Sequence, residues 1–159
     1  MKDIIIIAAV AENNVIGKDG KIPWHIKEDF QHFKKLTTGY PCIMGDNTYE
    51  SLPIKPLPGR ENIILTFNKN YHPEGTVVKY SFEEALEHCK KSDKIFIIGG
   101  ASIYKQGLNF ANRMELTRIH KSYDGDTYFP EFNENEWIVE KKEDYDGFSF
   151  ITYVKKEGI

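Results

Sequence analysis

The chain has 159 residues, 40% of them hydrophobic and 28% charged, with a formal net charge of −3. That length suits one domain with a sizeable core, and the composition is that of a globular protein. The basic residues are scattered, never more than two in a row, which argues against a basic groove for nucleic acid or an anionic membrane surface.

The first element is the apolar run Ile4–Ala11. Lys2 ahead of "IIIIAAVA" and the triplet Ala9-Val10-Ala11 imitate a secretory leader. The run is short, however, Asp3 offsets Lys2, and Glu12 follows at once. A buried first strand in a cytoplasmic protein is the better reading. No stretch approaches the length of a membrane span. Cys42 and Cys89 lack the paired spacing of a metal or redox motif, so two free thiols and no metal site are expected.

Further apolar, β-branched runs at Cys42–Met44, Asn62–Thr66, Thr76–Lys79 and Lys94–Ile98 read as strands. Helical patterns lie between them at Ile26–Thr37, Asn47–Leu52, Phe82–Cys89 and Ser102–Phe110. Continuous rather than alternating apolar runs suit strands covered on both faces. Strand–helix alternation predicts a mainly parallel sheet with right-handed crossovers, hence an α/β fold. After Asn112, "RMELTRIH", "WIVEKKE" and "FSFITYVKK" follow without helices and turn at Asp146-Gly147, so the sheet should close with antiparallel pairing. The proline cluster "PIKPLPGR" (Pro53–Arg60) is a stiff surface loop rather than a boundary, leaving one domain over residues 1–159.

Within "IPWHIKEDFQHFKKL", Ile26, Phe30, Phe33 and Leu36 form one apolar stripe at about 100° per residue. His32 borders it, and Asp29 falls inside it. An ionised carboxylate on an apolar face is costly unless it is paired or hydrogen-bonded. Asp29 is then either an acid satisfied by first-turn N–H groups or a carboxylate at the floor of an apolar pocket. In the second case it is ready for the two parallel N–H bonds of an amino-pyrimidine edge. Periodicity leaves the two readings level. Two glycine features follow. "CIMGDNTYES" (Cys42–Ser51) runs from a buried strand through Gly45 into a short helix whose first side chain is the anion Asp46. "IFIIGGASIYKQ" runs from a strand through Gly99-Gly100 into another helix. Bare backbone at such a helix start lets a pyrophosphate approach, although the spacing is not the GxGxxG fingerprint.

Together these residues resemble the dihydrofolate reductase family. The likeness runs in order through "NNVIGKDGKIPW", "EDFQHF", "IMGDNTYES", "PLPGREN", "IIGGASIY", "LTRI" and "GDTYFPEF". It implies an eight-stranded, mostly parallel central sheet with an antiparallel C-terminal strand and about four flanking helices. It also implies a monomeric enzyme that reduces 7,8-dihydrofolate to tetrahydrofolate with hydride from NADPH. Asp29 matches the family's pocket acid, Trp24 the tryptophan framing that end of the pocket, and Thr117 the hydroxyl bonded to the acid. With no histidine or second acid at the matched pterin positions, Asp29 would orient and polarise the ring while water delivers the proton. Ile7, Ala9, Phe30, Phe33, Leu52, Leu57 and Ile98 match the apolar walls. Lys55 and Tyr104 join them around the substrate, with Tyr104 packing between cofactor and core. Arg60 matches the arginine that takes the substrate's α-carboxylate; otherwise it is an ordinary turn arginine after Pro-Gly. The mobile loop Asn13–Lys21 would bring Ile16, Gly17, Gly20 and Lys21 to the cofactor, with its glycines as hinges. Ala9, Gly45, Asp46, Asn47, Thr48, Leu65, Thr66, Phe67, Gly99, Gly100, Ala101, Ser102, Ile103 and Tyr104 match the rest of the cofactor site, where the family joins the paired glycines by a cis peptide. Glu50 is expected to complete a capping box.

Three positions depart from what is common in members that use NADPH. Asp46 stands where a basic residue often meets the phosphates, Phe67 replaces a small hydroxyl residue near the 2′-phosphate, and Ser102 stands where some members have arginine. An acid there can accept from a ribose 2′-hydroxyl, as in NAD-binding Rossmann folds, which would admit NADH. Alternatively Asp46 caps its helix in solvent, with Lys79 or Arg118 compensating its charge. A reductase of another pterin, or a non-catalytic nucleotide- or pterin-binding relative, are the rival functions. Trp24, Asp29, Arg60 and the open glycine turn speak against both.

Overall fold

The computed structural model describes residues 2–157; residues 1, 158 and 159 of the expected domain lie outside the described residues. The elements in chain order are β1 (Asp3–Ala11), β2 (Val15–Gly17), α1 (Lys27–Thr37), β3 (Cys42–Gly45), α2 (Asp46–Ser51), β4 (Asn62–Leu65) and β5 (Val77–Lys79). After them come α3 (Phe82–His88), β6 (Lys94–Ile97), α4 (Ala101–Gly107), β7 (Arg113–Ile119), β8 (Thr127–Tyr128), a 3-10 turn at Glu134–Glu136, β9 (Trp137–Tyr145) and β10 (Phe148–Lys155).

Eight strands form one sheet in the order β5-β4-β3-β6-β1-β7-β10-β9. All pairings from β5 to β7 are parallel, and β10 pairs antiparallel with both β7 and β9. Thus β10 alone runs against the other seven. The expected α/β architecture, with its antiparallel C-terminal strand and four helices, is the one observed.

The central strands are apolar on both faces because each face has its own core. Ile6, Val10, Ile43, Ile63, Ile97, Met114 and Leu116 pack with Phe82 and Tyr104 on one side. Ile5, Ile7, Met44, Ile64 and Phe96 pack on the other, with Phe33 and Leu36 of α1 against them. A third cluster gathers Ala11, Val15, Trp24, Ile119 and Phe148 where β1 and β7 end. Burying a large aliphatic side chain contributes about 1.5–3 kcal/mol, so the β-branched runs read from the sequence are the main source of the fold's stability. Both cysteines are free and buried; burial pushes the Cys42 thiol up to about 12 and Cys89 to about 11.

The sequence reading missed β2 and β8, which pair with each other as a separate two-stranded ribbon. At three and two residues they are too short to show periodicity. Helix α4 ends at Gly107 rather than Phe110, where Leu108–Phe110 turn back on Tyr104, Gln106 and Gly107 carbonyls. Glu50 completes no capping box. The N-cap of α2 is Gly45, which has no side chain to share in one, and Glu50 instead accepts from Tyr71 and Lys55.

Candidate active site

Asp29 sits in the first turn of α1, whose N-cap, Ile26, provides no side-chain cap. Its Oδ1 accepts a 2.6 Å hydrogen bond from the Thr117 hydroxyl of β7, 88 residues away in sequence. The sheet explains the meeting: Thr117 pairs with Ala9 of β1 on one side and Phe150 of β10 on the other. Burial raises the Asp29 pKa above the usual carboxylate range, and the Thr117 hydrogen bond pulls it partly back. The carboxyl therefore holds its proton more readily than a surface acid.

Trp24 is buried, with its ring centroid 5.1 Å from that of Tyr123. Tyr104 directs its hydroxyl at the Ile7 and Ile98 carbonyls, 2.8 and 3.0 Å away. Burial, and next the Asp29 charge, hold the phenol well above its normal range, so Tyr104 is a poor proton donor. Phe33, Leu52, Leu57 and Ile98 pack against the second core. Phe30, matched to the substrate walls, is 44% exposed, while Ile26, Phe33 and Leu36 of the same stripe pack against the cores. The Phe30 ring touches His25, with centroids 5.0 Å apart.

At the outer end, Arg60 is held from behind. Its Nε donates to Pro58 O, its Nη1 to the buried Thr37 hydroxyl, and its guanidinium lies 5.9 Å from the Phe33 ring centroid. Nη2 has no hydrogen-bond partner among the described residues, leaving it available to a carboxylate. Lys55 is turned away onto the Glu50 carbonyl and carboxylate.

The second group of residues lies across the carboxyl ends of β3, β4 and β6. The Gly99-Gly100 peptide is cis, and Gly45 N donates to Gly99 O, tying the ends of β3 and β6 together. A Cβ on Gly100 would fill the gap to Thr48 Oγ1, 3.5 Å away, and one on Gly45 would meet Ile103 at 3.3 Å. This bare backbone beside the starts of α2 and α4 fits the pyrophosphate of a dinucleotide. Asp46 is half-buried and accepts a 2.8 Å hydrogen bond from the Thr66 hydroxyl. Neither expected counter-charge is present: Arg118 donates to Asn14, and Lys79 makes no ion pair with Asp46 among the described residues. Phe67 is 93% exposed, and Ser102 is exposed.

The segment Asn13–Lys21, with Ile16, Gly17, Gly20 and Lys21, is held by residues the sequence reading did not single out. Asn13 exchanges side-chain hydrogen bonds with the Tyr123 backbone. Lys18 pairs with Asp124 at 2.7 Å, Asp19 N donates to Asp126 Oδ2, and Asp126 N donates to Gly17 O. Gly17 lies in the β2–β8 pairing, whereas Gly20 takes the left-handed conformation.

Comparison with known proteins gives the family. A family model for dihydrofolate reductase matches residues 3–155. The dihydrofolate reductase HdrB of Haloferax volcanii is 40% identical over 96% of this chain and 84% of its own length. That of Neisseria gonorrhoeae is 45% identical over 86% of this chain and 85% of its own. The dihydrofolate reductase of Enterococcus faecalis, solved with NADP(H) and RAB-propyl, superposes with a TM-score of 0.90. It is 32% identical and covers 98% of this chain and 97% of its own. From the antiparallel last strand to the acid under Thr117, this chain belongs to the dihydrofolate reductase family.

Proposed function

We propose that the protein reduces 7,8-dihydrofolate to tetrahydrofolate with a reduced nicotinamide dinucleotide. The observation that carries this reading is the Asp29–Thr117 pair: a half-buried carboxyl on an apolar helix face, given one hydroxyl donor at Oδ1 and with no hydrogen-bond partner at Oδ2 among the described residues. Asp29 takes the two N–H groups of the pterin's pyrimidine edge and polarises the ring. Trp24, against Tyr123, closes that end. Phe30 on one wall and Leu52 and Leu57 on another take the p-aminobenzoyl ring, and the free side of Arg60 takes the α-carboxylate. The bound cofactor supplies hydride to one carbon of a C=N bond. A water beside Asp29 and Trp24 supplies the proton to the adjacent nitrogen, because Tyr104 is committed to backbone carbonyls. The rest of the chain holds the reactants together and excludes bulk solvent.

The cofactor site lacks the cations expected around a 2′-phosphate, since Asp46, Phe67 and Ser102 occupy those positions. Discrimination for NADPH over NADH is therefore reduced, or reversed. An absorbance assay of dihydrofolate with both cofactors in parallel tests both statements. Turnover with at least one is expected, and no turnover with either refutes the activity. A large preference for NADPH in kcat/KM sinks the cofactor reading alone. Arg60→Gln is expected to raise KM for dihydrofolate about 10–100-fold, as loss of a charge-assisted pair does, with a smaller effect on kcat. An unchanged KM would return Arg60 to the role of a turn residue.

A further inference from the structure

Of the strand ends read as the cofactor site, those of β3 and β4 lie farthest in the sheet order from β7, whose Thr117 holds Asp29. Gly45 lies opposite Leu65 in the ladder, so Asp46 and Thr66 are the next residues of adjacent parallel strands. Ligands of open α/β sheets lie across such ends. Thr66 is 7% exposed, and both functions of its hydroxyl are engaged: it donates to Asp46 Oδ2 at 2.8 Å and accepts from Asn68 N at 3.1 Å. It therefore has no hydrogen to offer a phosphate. Asp46, by contrast, is fixed through one oxygen, and its Oδ1 has no hydrogen-bond partner among the described residues. Directly after Thr66, the ring of Phe67 stands 93% exposed, a large apolar surface left in water with no contact that accounts for it.

The nearby cations are turned elsewhere. Lys69 Nζ sits 3.6 Å from the centre of the Tyr80 ring. Lys79 lines a surface hollow with Glu83, Glu84 and Glu87. A dianionic phosphate placed at Asp46 would meet a carboxylate with no neutralising partner, whereas a hydroxyl would find a fixed acceptor.

Resting on the nicotinamide-dinucleotide reading above, we propose a division of labour at the adenosine end. Thr66 positions the Asp46 carboxylate as acceptor for the ribose 2′-hydroxyl, and Phe67 stacks on the adenine, so that this end of the groove selects NADH over NADPH. Affinity comes from the aromatic face, which is indifferent to the 2′-substituent, and selectivity from the held carboxylate. The two contributions are separable by mutation.

Fluorescence titration of NADH and of NADPH, without substrate, on wild type, Thr66→Val, Thr66→Ser and Phe67→Ala provides the test. Wild type is expected to bind NADH more tightly. Thr66→Val should weaken NADH about tenfold, the loss of one charge-assisted hydrogen bond, while shifting NADPH less than about threefold. Thr66→Ser, which keeps the hydroxyl, should behave as wild type. Phe67→Ala should weaken both cofactors alike, by about tenfold, as loss of a base–aromatic stack does. A wild type that favours NADPH overturns this inference, and a large NADPH preference overturns the cofactor reading with it. A wild type that favours NADH overturns the role of Thr66 alone if Thr66→Val moves both cofactors equally or Thr66→Ser fails to rescue. An unaltered Phe67→Ala overturns the stacking role.

Discussion

Asp29→Asn is expected to lower kcat/KM for dihydrofolate at pH 7 by about 10²–10⁴-fold, the range associated with losing a positioned acid–base group. The deficit should shrink as the pH falls, because solvent protons then take over what the carboxyl assists. Stability should move the other way. In the unfolded chain the carboxyl ionises near its ordinary value of about 3.9. In the folded chain burial raises that value, so the native state resists ionisation. The fold is therefore weakened progressively as the pH climbs through the raised native pKa, and it is unaffected below the unfolded one. Asparagine has no such penalty. Its unfolding midpoint should equal or exceed that of wild type at pH 7, and the two should converge below about pH 4. Thermal unfolding followed across pH, beside steady-state kinetics, checks both halves. A variant clearly less stable at pH 7 would mean that Asp29 holds the structure together rather than a ligand.

Gly125→Ala is expected to destabilise the chain by about 1–3 kcal/mol, as overpacking does, and to reduce kcat/KM by about tenfold to a hundredfold through the loop. A Cβ at this position would lie 2.4 Å from Val15 Cγ1 and 2.7 Å from Gly17 O. Val15 is fully buried and branched at Cβ, and Gly17 O is backbone, so neither can yield cheaply. The segment around Gly125 must then lift away, taking with it the Asp126–Gly17 and Asp126–Asp19 hydrogen bonds and the Lys18–Asp124 pair. Hydrogen exchange at the Asp126 amide should rise in step with the loss of activity. Gly17→Ala is the contrast, because its Cβ would meet Thr127 at an ordinary 3.5 Å. Equal effects from the two changes would show that docking of this loop is not what Gly125 protects.

Much of this was legible in the sequence, and the reasons differ by element. The buried strands announce themselves through continuous β-branched runs, and Asp29 through its conflict with an apolar stripe. What resolves the conflict, Thr117, lies too far along the chain for any local pattern to reveal, and only the family resemblance pointed to it. The same holds for Asp46: its charge is visible at once, but its partner, Thr66, becomes adjacent only when β3 and β4 pair. Phe30 shows the limit of periodicity, which finds an apolar stripe but does not say which of its members the core covers. Glu50 shows the limit of motif spacing, since a capping box needs an N-cap side chain and a glycine has none to give.

The single reversed strand has a bearing on how the protein is made. Asp29 and Thr117 both precede β10, yet the strand beside Thr117, and the stack of His32 of α1 on Phe150, depend on it. A nascent chain that has emerged through β7 holds all the chemistry but has an open edge next to the pocket acid. Hydrogen bonding of that edge waits until β10 slots between β7 and β9. Translation thus delivers the reactive residues before the strand that flanks them, and the sheet can close only once β10 has been made. Removing β10 should leave a chain that collapses and exposes an aggregation-prone edge rather than a smaller, weaker enzyme.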